Sequence, residues 1–96
     1  MTAYVIADND VTDAPAYQNY IDLIAPTVTA YGGTYLIRGG DVTYADTEWR
    51  PPRLVMIAFP DRAAALRWVE APELAELHAL RRRNAVSRLI VVDGVD

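Results

Sequence analysis

Two stretches of this chain are apolar at nearly every position over a full strand length, and a sheet that is dry on both faces follows from them. Leu54, Met56 and Ala58 alternate with Val55, Ile57 and Phe59, and Leu89 and Val91 alternate with Ile90 and Val92. Successive side chains of a strand point to opposite faces, so an antiparallel sheet with one wet side reads apolar, polar, apolar. These strands do not. Helices can blanket one face only, and an apolar patch of several hundred Å2 is unusual on a soluble monomer. The expectation is a homodimer joined through the sheets, with folding and association coupled.

The remaining elements supply the first cover. Ala3 to Asp8 (AYVIAD) and Thr34 to Arg38 (TYLIR) are short runs rich in β-branched and aromatic residues, which predicts two more strands. Asp13 precedes Ala14 and Pro15, a helix-start signal. Tyr17, Tyr20, Ile21, Ile24, Val28 and Tyr31 then recur at helical spacing up to a Gly32-Gly33 stop. Pro26 predicts a kink within one helix, because the stripe continues in phase past it. Gly39-Gly40 reads as a bulge or bend, after which Val42 and Tyr44 are expected to resume the strand. Asp61 caps a second helix to about Ala71, and Pro72 either kinks it or starts a new one carrying Leu74, Leu77 and Leu80. Arg81, Arg82 and Arg83 fall in its last turns, where they complement the helix dipole. Strand, helix, strand, strand, helix, strand is a ferredoxin-like α+β sandwich: a four-stranded antiparallel βαββαβ sheet with both helices on one face.

Composition bounds the function. With 96 residues, 52% of them hydrophobic and 23% charged, residues 1–96 form a single domain. A formal charge of −4 opposes nucleic-acid binding, and no segment reaches the roughly 20 apolar residues of a membrane span. The N-terminal residues lack a signal-peptide pattern, and the expected location is the cytoplasm. Zero cysteines remove thiolate chemistry and disulfides, and one histidine cannot make a multi-histidine metal site within one chain. There is no lysine for a Schiff base and no GxGxxG, P-loop or GxSxG motif. Neither a metal nor a permanent cofactor is expected.

Asp13, Tyr17, Tyr20, Tyr31-Gly32-Gly33, Arg38-Gly39-Gly40, Trp49-Arg50-Pro51, Phe59-Pro60, Trp68, Pro72-Glu73 and Val92-Asp93-Gly94-Val95 together resemble the family of domain of unknown function 1330, within the dimeric α+β-barrel superfamily. The resemblance spans nearly the whole chain and implies two sheets packed face to face as a dimer. It implies no activity, since the superfamily includes cofactor-free monooxygenases, isomerases and haem enzymes. Leu74 stands where many relatives carry an aromatic after the Pro-Glu pair.

Six residues are candidates for a site. Arg38 places a guanidinium in an apolar strand before two glycines, as either a bidentate anchor for a substrate carboxylate or enolate, or half of an internal salt bridge to Asp41 or Asp8. Asp41 would orient that arginine or act as a general base, and His78 is the one side chain whose ordinary pKa lies near neutrality. Trp49 and Arg50 occupy a proline-stiffened loop, to lid a pocket or pack across the dimer. Tyr20 belongs with Tyr17 and Tyr31 to the helical stripe, a pattern of core residues whose hydroxyls are also placed to rim a cleft between that helix and the sheet. Two functions follow: a dimer that binds a small organic acid or aromatic metabolite, transforming it in the enzyme version by isomerase-like or monooxygenase-like chemistry; or a non-enzymatic interaction module.

Overall fold

Aspartate caps start both long helical segments: the side chain of Asp13 accepts from the Ala16 amide at 3.1 Å and that of Asp61 from the Ala64 amide at 2.8 Å. In the computed structural model, which describes residues 1–96, the elements run β1 (Ala3–Val11), α1 (Ala14–Ala30), β2 (Thr34–Arg38), β3 (Leu54–Phe59), α2 (Arg62–Glu70), α3 (Ala75–Asn84) and β4 (Ala85–Asp93). Pro26 lies within one continuous helix. The carbonyl it leaves unbonded belongs to Asp22, an exposed position that water reaches. Pro72 does break the second helical segment, opening a 3-10 turn, Pro72–Leu74, between α2 and α3.

The end of α1 is set by its two glycines. Gly32 takes a φ of +88°, its amide donates to the Thr29 carbonyl at 3.0 Å, and the Gly33 amide donates to the Val28 carbonyl at 2.8 Å. A Cβ on Gly33 would stand 2.9 Å from both the Phe59 ring and Val28, so the turn also seats the helix on the sheet.

The sheet is antiparallel throughout, in the order β2-β3-β1-β4. Its inner face carries Val5, Ala7, Val55, Ile57 and Phe59 beneath the helices, where Trp68, Ile24 and Val28 complete the core. Its outer face carries Tyr4, Ile6, Met56, Leu54, Ile90 and Val92, with no element laid over them. The molecule is accordingly a two-layer slab of 34 × 32 × 16 Å. Ile90 is 55% exposed, and Leu36, Val86 and Val92 are exposed with it.

Of the two readings of Gly39-Gly40 the structure has the bend, at Gly39. A bulge lies earlier, between Tyr35 and Ile37: Tyr35 pairs with Ile57, while Ile37 pairs with Met56 and Arg38 with Val55. Val42 and Tyr44 do not resume the strand. Gly39, at a φ of +73°, turns the chain after its amide donates to Leu54, and the backbone stays out of the ladder until Leu54 because Pro51 and Pro52 have no amide hydrogen to give.

Candidate functional site

The bulge decides where Arg38 points. Counting from inward-facing Tyr35, simple alternation would send residue 38 to the outer face. One extra residue in the strand reverses the phase, and Arg38 comes to share the inner face with its partner Val55. There it joins the wall of a cavity between α1 and the sheet, together with Tyr17, Tyr20, Tyr35, Arg53 and Arg81 among its polar members. The rest of the wall is apolar apart from Asn9. Exposed Arg38 and half-buried Ile21, Tyr35 and Arg53 mark the mouth. The empty space is about 430 Å3 counting the mouth, but only about 30 Å3 is open to the centre of a water molecule, so the inner end has room for a head group of a few atoms.

Electrostatically the wall is one-sided. Three of the chain's nine basic side chains line it and none of its 13 acidic ones does. Arg38 forms neither of the salt bridges that would have made it structural: Asp8 pairs with Arg88 at 2.9 Å, and the only other ion pair is Arg62 with Asp93. Instead Arg38 lies over the Tyr35 ring at 4.8 Å and Arg53 over the Tyr17 ring at 5.6 Å. The Arg53 Nε is buried and has no acceptor. Gly39 makes room for that guanidinium, because a Cβ there would meet Arg53 Nη1 at 2.5 Å. Burial pushes the Tyr20 hydroxyl up to about 12, and burial also raises Tyr35, so both remain protonated donors at neutral pH.

Arg81 is not a solvated member of a helix-end trio. It is 5% exposed, donating from Nε to Ser87 Oγ at 2.9 Å and from Nη1 to His78 Nδ1 at 2.9 Å. A guanidinium has no lone pair to offer, so His78 Nδ1 is the acceptor; its Nε2 therefore carries the proton and donates to the Trp68 carbonyl at 3.1 Å. Both imidazole nitrogens are engaged, the ring stands edge-on to Trp68 at 4.7 Å, and His78 lies behind the cavity wall rather than in it. Burial above all holds its pKa below the ordinary value, Arg81 and Arg82 push it the same way, and the Trp68 carbonyl opposes them.

A pH dependence follows. The unfolded chain takes up the histidine proton near pH 6.5, and the native protein only below that, so the unfolded state binds more protons in between and stability falls as pH drops from about 6.5 towards the native value. The contribution is at most about 1.4 kcal/mol per pH unit for one proton. Thermal unfolding followed across this window should show the decline in the wild type and a flatter profile in His78→Gln, whose amide supplies one acceptor and one donor without titrating. Equal slopes in the two proteins would remove His78 as its source.

The other expected site residues lie elsewhere. Asp41 is exposed and absent from the cavity wall, beside Gly40 and Leu54. Trp49 is 63% exposed in the loop, and Arg50 donates to the Val42 carbonyl at 3.3 Å, bracing that loop from within. The structure thus brings Arg38 and Tyr20 together, places His78 one layer behind them, and leaves Asp41, Trp49 and Arg50 outside. Tyr17 of the helical stripe lines the cavity with Tyr20, and Asn9, Arg53 and Arg81 are cavity residues that sequence reasoning did not name for it. The signal for these three was present: Asn9 continues the inward alternation of Ala3, Val5 and Ala7, Arg53 is in phase with Val55, and Arg81 follows His78 by three residues on the buried side of α3.

Several solved structures share this fold. A protein of unknown function from Rhodopseudomonas palustris superposes with a TM-score of 0.72 at 17% identity, over 99% of this chain and 83% of its own. Rv0793 from Mycobacterium tuberculosis does so with a TM-score of 0.64 at 17% identity, over 100% and 97%. A structure described as an antibiotic biosynthesis monooxygenase gives a TM-score of 0.59 at 15% identity over the full length of both chains. At such identities the likeness is one of fold alone. No curated protein matches the chain. The model of a family described only as a domain of unknown function (DUF1330) matches residues 2–95.

Proposed function

Because the chain belongs to the DUF1330 family, whose description carries a domain and no chemistry, we propose its function from the cavity itself: it binds a small organic acid, carboxylate first, in a dimer formed through the outer face of the sheet. One observation carries the reading. Three guanidiniums line a largely apolar cavity, with no carboxylate on its wall to neutralise them. Nearly every polar group there presents a donor, and an ionised carboxylate is acceptor-only and suited to the planar fork of an arginine. The apolar wall takes the hydrocarbon or aromatic body towards the mouth.

Binding is better supported than catalysis. His78 has no free nitrogen, Asp41 stands outside the cavity, and the raised tyrosines hold their protons. The monooxygenase named among the similar structures therefore lends its fold and not its reaction. For the dimer, the support is the uncovered apolar face on a slab only 16 Å thick, with exposed Tyr44 and Trp49 in the loop beside Leu54 at its edge. The narrowness of the inner cavity favours a second reading, the interaction module, in which that face is the whole function.

A thermal-shift series with small carboxylates, phenols, lactones and haem separates the two. A ligand at one hundred times its Kd stabilises by about 2.7 kcal/mol, a rise on the order of 10 °C for a domain of this size. Carboxylates should produce such a rise. Arg38→Ala, which removes a charged donor at the mouth, should weaken binding about tenfold or more and so reduce the shift by about half at the same concentration, while the protein stays folded. A flat series on a confirmed dimer would leave the interaction module.

A further inference from the structure

Arg81 starts a chain of hydrogen bonds with only one direction. It can only donate, so Ser87 Oγ accepts from its Nε. The Ser87 hydroxyl passes its own hydrogen to Asn9 Oδ1 at 2.6 Å, and Asn9 Nδ2 donates to the Tyr17 hydroxyl oxygen at 2.8 Å. Tyr17 is 3% exposed and its hydroxyl makes no other hydrogen bond. Its oxygen is thus occupied by an incoming donor, and the hydrogen it carries has no acceptor in the protein. A buried hydroxyl hydrogen in that state costs free energy unless something accepts it. Tyr17 lines the cavity, and the guanidinium above its ring holds the other unsatisfied donor, Arg53 Nε.

We propose that Tyr17 is a ligand-binding residue, whose hydroxyl hydrogen is aimed at the carboxylate of the bound acid by the Arg81-Ser87-Asn9 chain, with Arg53 Nε as its companion donor. The proposal rests on the reading of the cavity as an organic-acid site and adds what that reading lacks: the inner contacts and the polarity they demand. A head group that only accepts satisfies both donors. An ammonium in the same place accepts from neither. His78, by accepting from Arg81 Nη1, fixes the guanidinium from which the polarity starts and is a positioning residue.

The probes are phenylacetate, whose carboxylate stands at the end of an apolar body, and phenethylammonium, which replaces that group with a donor. Isothermal titration above the histidine range, on the folded wild type and on Tyr17→Phe, Asn9→Asp and the double variant, tests the chain. The expected result is phenylacetate binding without phenethylammonium binding, and a loss of about ten- to a hundredfold in Tyr17→Phe, the worth of a hydrogen bond to a charged group. In Asn9→Asp the tyrosine turns to donate to the new carboxylate, so affinity falls, and adding Tyr17→Phe to it costs nothing more. Losses that add would instead mean that Tyr17 meets the ligand independently of Asn9. Phenylacetate binding that Arg38→Ala weakens while Tyr17→Phe retains it overturns the proposal and leaves the cavity reading standing. Losses that add in the double variant also overturn it. Should Tyr17→Phe fail to fold, Asn9→Asp decides alone, undiminished affinity being the contrary result. A wild type that binds neither phenylacetate nor any other carboxylate overturns both.

Discussion

Trp68→Ala should cost about 3–5 kcal/mol, the range for deleting a large aromatic from a packed core. Out of a total of about 5–15 kcal/mol, that leaves the domain near its unfolding threshold at ambient temperature. Trp68 is 2% exposed and joins four elements at one side chain. Its ring lies 5.8 Å from Phe59 of β3 and edge-on to His78 of α3, and its Nε1 donates to Thr27 Oγ1 of α1 at 3.0 Å, all from a position on α2. The backbone carbonyl of the same residue anchors His78 Nε2. Removing the ring opens a cavity under both helical segments and leaves the imidazole without its flat neighbour. Thermal denaturation followed by circular dichroism should show a fall of roughly 15 °C or more. A fall of a few degrees would mean that the helices collapse over the gap and that the post is dispensable.

Ile90→Lys should convert the proposed dimer to monomers. In a single chain this side chain is more than half exposed and its replacement is mild. Across a sheet-to-sheet contact it would bury an ammonium among Ile6, Val92 and the facing strands, and an uncompensated buried charge costs about 3–5 kcal/mol. That is a loss of roughly a hundredfold or more in association. Light scattering should read twice the chain mass for the wild type and a single mass for the variant, and the wild-type melting temperature should rise with protein concentration. A wild type with the mass of one chain would remove the dimer from the proposed function.

Strand three and strand four announced a sheet apolar on both faces because hydrophobic periodicity is local and needs no partner to be read. The helix starts at Asp13 and Asp61 and the stop at Gly32-Gly33 were legible for the same reason: caps are chemistry within four or five residues. The turn of Arg38 into the cavity was not. It depends on one unpaired residue in β2, and a bulge is set by how two strands register, not by the residue that bulges. Arg81 was hidden differently, within a run of three arginines whose outward members dominate the composition of the helix end. Tyr17 read as one of three tyrosines in the helical stripe whose hydroxyls could rim a cleft, with nothing to set it apart from Tyr20 and Tyr31. Its hydroxyl acquires meaning only from Asn9 and Ser87, which lie on two other elements.

The longest ladder of the sheet runs nine rungs between β1 and β4, joining Ala3 to Asp93 and Val11 to Ala85. Closing it means bringing together segments about eighty residues apart, an entropic cost met before any of its contacts form, and proteins dominated by such distant pairings fold slowly. β1 also pairs with β3, so it is held from both sides while β2 and β4 form the two edges of the sheet. What β4 brings to the cavity is Ser87, the hydroxyl between Arg81 and Asn9. The polarity of the cavity therefore depends on the pairing of the two strands that lie farthest apart in the chain.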